Sequence, residues 1–385
     1  MFRPLRWMLL VSFCVLPSTL RAETKDYPFL KQVQKHFAEW DLDNNGELSA
    51  AELQRALLHF TTKGEAAAAV ATLFAAERDK KDNGLPSLTL ENLGKIVPLP
   101  KNPKELPDLQ TSFDQNLATI KNKKHEFFTK DKVALSDLTQ GQLGDCYLVS
   151  MVGWVVYRKP EVLKGMFAKG PNGTVDVTFP GGKKVQVNSL RDGELVFVSS
   201  SNDEGTWLNY IEKAVGANRN AADRKAAKAD SKAEPKDKSK PGPPPFVNVG
   251  AGGSMDETIE LFTDHRATRI DIPEKPAKRG PVLDDLRSRL TKAQRTDHMV
   301  GIGTPPTTKV PGLVPGHAYA VLHYNLKTNE LTIWNPHGND FKPTGSAGLE
   351  NGYLTEKGTF RVPFDEAAQC FCCLVFETND SVEKK

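Results

Sequence analysis

The stretch Gln140-Gly-Gln-Leu-Gly-Asp-Cys146-Tyr-Leu-Val-Ser150 decides how the rest of the chain is read. Its glycines free the backbone for a tight loop, and the cysteine opens an apolar run from Tyr147 to Tyr157 that reads as a buried helix. A cysteine at a helix N-terminus sits at the positive end of the macrodipole, which favours thiolate over thiol. Gln140, upstream in the same loop, is placed to offer its amide to a developing oxyanion. A lone cysteine is by default a buried small side chain, but that default explains neither the glycines nor the glutamine.

A thiol nucleophile needs a base and a group to orient it. Downstream, Gly316-His317-Ala-Tyr319-Ala-Val-Leu carries a histidine into an alternating, strand-like run, and Leu331-Thr-Ile-Trp-Asn335-Pro-His-Gly338 ends a second strand in an asparagine held by a proline turn. Cys146, His317 and Asn335 follow the chain order of papain-like proteases, in which the asparagine accepts from the second ring nitrogen of the histidine. His323 and His337 lie nearby; the first reads as a packed or surface residue, the second as exposed by its proline turn. Cys370, Cys372 and Cys373 fall in an apolar closing strand and read as small buried hydrophobes rather than metal ligands.

Working outward towards the N-terminus, residues 41–52 fit a twelve-residue EF-hand loop for Ca2+. Asp41, Asp43 and Asn45 supply side-chain oxygens, Glu47 its backbone carbonyl, Ser49 the ninth position, and Glu52 a closing bidentate carboxylate. Gly46 allows the sharp turn, and apolar residues at helical spacing flank the loop on both sides. A second helix–loop–helix follows, but Asp79-Lys-Lys-Asp-Asn-Gly84 keeps no ligand register and reads as a structural partner without metal.

The outer segments complete the organisation. Arg3 and Arg6 before the apolar run from Trp7 to Leu16, then Pro17, Ser18 and Ala22, read as a signal peptide over residues 1–22, too short to span a bilayer as a helix. Residues 27–97 are expected to form the EF-hand domain, residues 98–110 a proline-rich linker, and residues 111–378 a catalytic domain. Within the last, residues 219–245 are rich in Lys, Ala and Pro and read as a disordered insertion. A net charge of +3 in 385 residues gives no footprint for nucleic acid, and five cysteines are too few for a disulfide scaffold.

Gln140 to Val149, Leu313-Val-Pro-Gly-His317-Ala-Tyr319 and Trp334-Asn335-Pro-His-Gly338 together resemble the catalytic motifs of the calpain family. Trp207-Leu-Asn-Tyr-Ile-Glu-Lys-Ala214 is similar to that family's Trp-x-x-Leu-x-Glu-Lys-Ala helix, and Gly250-Ala-Gly-Gly-Ser254 to its glycine-rich turn. The resemblance implies an α+β papain-like core, with a helical half bearing Cys146, a β-rich half bearing His317 and Asn335, and a peptide-binding cleft between them. The chain departs from the family at Gly205, where a calcium-binding glutamate is usual, and at His337, where the family has a tryptophan; Asp137 keeps one core ligand position. The expected activity is that of an exported, calcium-binding cysteine endopeptidase acting on proteins or peptides. A non-catalytic calcium-binding module and a transglutaminase-like acyl transferase are the alternatives.

Overall fold

The periodicity of the N-terminal third explains its helices. Phe29, Val33, Phe37 and Trp40 recur on one face of α1 (Pro28–Trp40), and all four are buried. The computed structural model describes residues 27–97, 106–202, 205–229 and 244–382. The predicted signal peptide therefore lies outside the described residues. After α1 the chain turns through Asn44 and Gly46, both at positive φ, into α2 (Ala50–Leu58). Ser49 caps α2 in a reciprocal capping box with Glu52. The next helix, α3 (Gly64–Arg78), is buried on nearly every side, because its alanines let neighbours approach all round.

The second loop differs from the first in kind. Residues 79–84 wind into the short α4 (Lys80–Asn83) and stop at Gly84 in the left-handed conformation, before α5 (Leu90–Ile96). The Leu48 N–H donates to Leu88 O at 3.1 Å and ties the two loops together. Beyond residues 98–105, helix α6 (Leu109–Asn122) lies along the same bundle: Phe113 packs on Phe29 at 6.0 Å between ring centroids, and Asn116 Nδ2 donates to Thr72 Oγ1 at 2.9 Å. α6 thus begins inside the stretch read as linker and packs with the N-terminal helices.

The middle of the chain is built on α7 (Cys146–Arg158), buried without a break from Tyr147 to Val156. Short α8 (Glu161–Lys164) leads into an antiparallel sheet of β1 (Phe167–Lys169), β2 (Thr174–Thr178) and β3 (Lys184–Asn188). One-turn α9 (Asp192–Leu195) and long α10 (Trp207–Ala229) follow. The sequence reading made residues 219–245 one irregular insertion; instead α10 continues to Ala229 and α11 (Pro245–Gly250) opens at the far end. Within α10, Arg219 is held by Glu257 and by Gly252 O. Phe74 of α3 meets both Phe197 and Phe246, so the N-terminal bundle and this helical half share one apolar core.

After α12 (Met255–Thr263) and β4 (His265–Asp271), α13 (Gly280–Thr296) covers the other half. The strands β5 (Val300–Gly303), β6 (Ala318–Asn325), β7 (Glu330–Trp334), β8 (Thr355–Glu356), β9 (Thr359–Pro363) and β10 (Cys373–Ser381) complete this half, with α14 (Phe364–Cys370) between the last two. They form a seven-stranded sheet in the order β4-β10-β5-β6-β7-β9-β8, antiparallel throughout. Its second apolar core gathers Leu286 and Leu290 of α13 with Tyr319, Ile333, Phe360 and Phe371. Mixed helix and antiparallel sheet is the expected α+β composition. No described helix is long and apolar enough to cross a membrane.

Candidate active site

The loop before α7 is clamped by close backbone approaches. A Cβ at Gly141 would collide with Phe197 O and Val198 O, and one at Gly144 with Gly250 O. The Gln140 N–H donates to Pro336 O at 2.7 Å and the Gln142 N–H to Phe197 O at 2.9 Å, so the loop is tied to both halves at once. Its end delivers Cys146 to the first position of α7, where its own N–H faces outwards from the helix end. Gln140 Nε2 donates to Leu143 O at 2.8 Å, which holds the amide along the loop.

His317 is fixed by groups that the sequence reading did not single out. Its backbone N–H donates to Thr304 Oγ1 at 2.9 Å, whose hydroxyl donates in turn to Val314 O at 2.6 Å. The ring of Tyr319 stands edge-on to the imidazole at 4.9 Å. Thr304 immediately follows β5, and only the pairing of β5 with β6 brings it beside His317; no local pattern marks it. His317 Nε2 lies 2.9 Å from Asn335 Oδ1. Because Oδ1 is an acceptor, Nε2 carries the proton and Nδ1 is left as the base.

Asn335 is 2% exposed, and each polar atom of its amide has a partner. Oδ1 also accepts from the His337 N–H at 3.1 Å, and Nδ2 donates to Asn339 Oδ1 at 3.0 Å, which sets which way the amide faces. Cys146, Gln140, His317 and His337 line a single cleft, walled by residues 140–144, Gly252, Gly253 and Val314. His337, read from sequence as merely exposed, stands against His317 with ring centroids 4.3 Å apart. His323 lies on β6 outside this cleft, bordering a small hollow beside α13.

Electrostatics give the resting protonation state. Burial, followed by the neighbouring charge of His337, pushes the His317 imidazole down to about 4, against a smaller upward pull from Asn335. Burial also pushes the Cys146 thiol up, and the Ala318 backbone N–H, which favours its anion, offsets only part of this. Desolvation thus works against the preference of a helix end for thiolate, and outweighs the few N–H groups that face the sulfur. No hydrogen bond joins the Cys146 sulfur to His317 among the described residues. The arrangement is a neutral thiol beside a neutral imidazole, with the orienting bond to Asn335 already made.

Residues 41–52 bring three carboxylates together. Carboxylate oxygens of Asp41, Asp43 and Glu52 lie within 4.8 Å of one another. Asp41 accepts from the N–H groups of Asn45 at 3.1 Å and Gly46 at 2.9 Å, and Asn45 Oδ1 accepts from the Glu47 N–H at 2.7 Å. Glu52 reaches across the loop, accepting from the Leu42 N–H at 2.8 Å and the Ser49 hydroxyl at 2.7 Å. This hard, carboxylate-rich set fits calcium. Neither Asp79 nor Asp137 belongs to such a group among the described residues; Asp137 faces Lys130 at 3.8 Å. In the other such group, His265, His298 and Glu377, the Glu377 carboxylate is already engaged: His265 bonds one oxygen at 2.7 Å, and the Met299 N–H donates to the other at 2.8 Å.

No curated protein matches the chain closely enough to count as a relative. Residues 115–222, which hold Gln140, Cys146 and the first part of α10, match the family described as calpain family cysteine protease.

Proposed function

We propose that the protein is an exported, calcium-binding endopeptidase that cleaves peptide bonds with Cys146, His317 and Asn335, aided by Gln140. The observation that carries this reading is the 2.9 Å His317–Asn335 bond in the cleft that Cys146 lines. A substrate carbonyl entering the cleft brings the sulfur and Nδ1 into proton-transfer range. His317 Nδ1 takes the thiol proton as Cys146 Sγ attacks, and the charge on the carbonyl oxygen is met by the Cys146 N–H and the Gln140 amide. The imidazolium passes its proton to the leaving amine, and a thioester remains on Cys146. Water, deprotonated by Nδ1, releases the acid and restores the thiol. Throughout, Asn335 keeps Nε2–H engaged, so the ring cannot turn its basic nitrogen away.

Calcium, when bound, supplies a divalent charge that draws the oxygens of residues 41–52 together. Asp41, Asp43, Asn45, Glu47, Ser49 and Glu52 would hold it. An acyl transferase of transglutaminase type is less well supported, because an amide rather than a carboxylate partners His317. The test is labelling by a peptide that carries a thiol trap, followed by release of peptides from casein. Cys146→Ala should lose both; a Cys146→Ala variant that still degrades casein would end the reading.

A further inference from the structure

Behind the nucleophile lies a buried pair of carboxyl groups that the chemistry above does not use. Asp145, immediately before Cys146, and Glu212 on α10 are each 0% exposed. Asp145 occupies the N-cap position of α7, where an ionised aspartate would normally accept from the first free N–H groups. It makes no such bond. Neither of its oxygens makes a hydrogen bond of full geometry, and Gln140 Oε1 is also without a partner. The side chain instead turns inwards, against the Glu212 carboxyl on one side and the Gln140 amide on the other.

The two acids differ in what surrounds them. Glu212 Oε1 accepts from the Ser199 N–H at 2.9 Å and Oε2 from Asn209 Nδ2 at 3.3 Å, so its anion is solvated by the protein. Asp145 has no equivalent. The titratable neighbours that act on Asp145 are Glu212, Cys146 and Tyr147, and none is a cation. Lys213, next to Glu212 in sequence, is held away by Glu194 at 2.6 Å, and Arg219 by Glu257. Two buried carboxylates in contact without a cation cannot both stay ionised.

We propose that Asp145 is held as the neutral acid at neutral pH and donates its O–H to Glu212, so that a single negative charge sits on Glu212, away from the α7 terminus where the Cys146 thiolate must form. Asp145 is then a positioning residue, acting through Gln140 and Cys146. Burial and the Glu212 charge both raise the Asp145 carboxyl well above the usual range, in keeping with this. The inference rests on the reading of Cys146 as nucleophile.

The test follows the pH dependence of iodoacetamide alkylation at Cys146, resolved from the other thiols by peptide mass, in the full chain and in Asp145→Asn, Asp145→Ala and Glu212→Gln. An asparagine at 145 keeps the donor to Glu212 and adds no charge, so the alkylation midpoint should stay at its wild-type value. Glu212→Gln presents an amide donor instead, lets Asp145 ionise beside the sulfur, and should move the midpoint up by about one unit or more, roughly tenfold less thiolate at a given pH. Asp145→Ala should lower casein turnover at least tenfold with the fold retained by circular dichroism, and Asp145→Asn should recover most of that loss. A midpoint that falls by about a unit in Asp145→Asn would show that Asp145 carries charge in the native protein, and would overturn the proposal. If Cys146 alkylates in every variant while Cys146→Ala keeps full turnover, the protease reading itself fails, a separate outcome.

Discussion

The indole of Trp334 lies directly over Gly153, in the space that a Cβ there would occupy. Trp334 ends β7 one residue before Asn335, and Gly153 sits on α7 about two turns beyond Cys146. A single aromatic contact thus seats the helix that opens at Cys146 against the strand that leads to Asn335. The indole N–H is anchored at Lys357 O at 3.2 Å, so the ring has no free direction in which to yield.

Gly153→Ala should therefore cost about 1–3 kcal/mol through overpacking, and lower turnover by shifting Cys146 away from His317. Chemical denaturation and a casein assay on the same preparation check both effects. An alanine variant as stable and as active as wild type would show that the two halves are not set by this contact.

The side chains of the site and their supports should not be equivalent. Cys146→Ala should reduce turnover by at least ~10⁴-fold, while Asn335→Ala should leave a weakened enzyme, because an orienting group contributes less than the nucleophile. Asn339→Ala should mimic part of the Asn335 loss, since its Oδ1 determines how the Asn335 amide faces. Initial rates of peptide release across the three variants give the ranking.

The pH profile follows from the buried imidazole. His317 is a base only when neutral, so kcat/KM should hold well below pH ~6.5, the usual histidine value, and fall as pH drops towards about 4. His337→Asn removes a charge that depresses His317 and should move this acid limb upwards. Stability has the same sign: the folded value lies below the unfolded one, so the contribution is present above about 6.5 and is lost as pH falls from there towards 4. Melting temperatures measured across that window should fall on the acid side, and less so in His317→Ala.

Calcium is expected to act through the N-terminal helices. Arg78 at the end of α3 donates to Gln142 O at 3.5 Å and lies over the Phe197 ring at 5.7 Å, which links the bundle to the loop that carries Gln140. Calcium should raise the melting temperature of the protein, and a chelator should lower its turnover. Glu52→Gln should abolish both responses. If Glu52→Gln keeps the full response of activity to calcium, the ion acts at the core near Asp137 instead.

Much of this protein is legible in its sequence, because its key features are local. The loop at residues 41–52 carries carboxylates and an amide at fixed offsets, and a helix opening at Cys146 follows from glycines and an apolar run, so no distant contact is needed to see either. The chain order of Cys146, His317 and Asn335 names the candidate site for the same reason. Protonation was not legible. A helix end pointed to a thiolate, but desolvation of Cys146 and His317 depends on how completely the two halves close over them. Nor could spacing reveal Thr304 and Asn339 as supports, the ring of His337 against His317, or the inward turn of Asp145 towards Glu212. Strand pairing and the docking of α10 bring these groups together across long stretches of chain, and no local pattern encodes a contact that only packing creates.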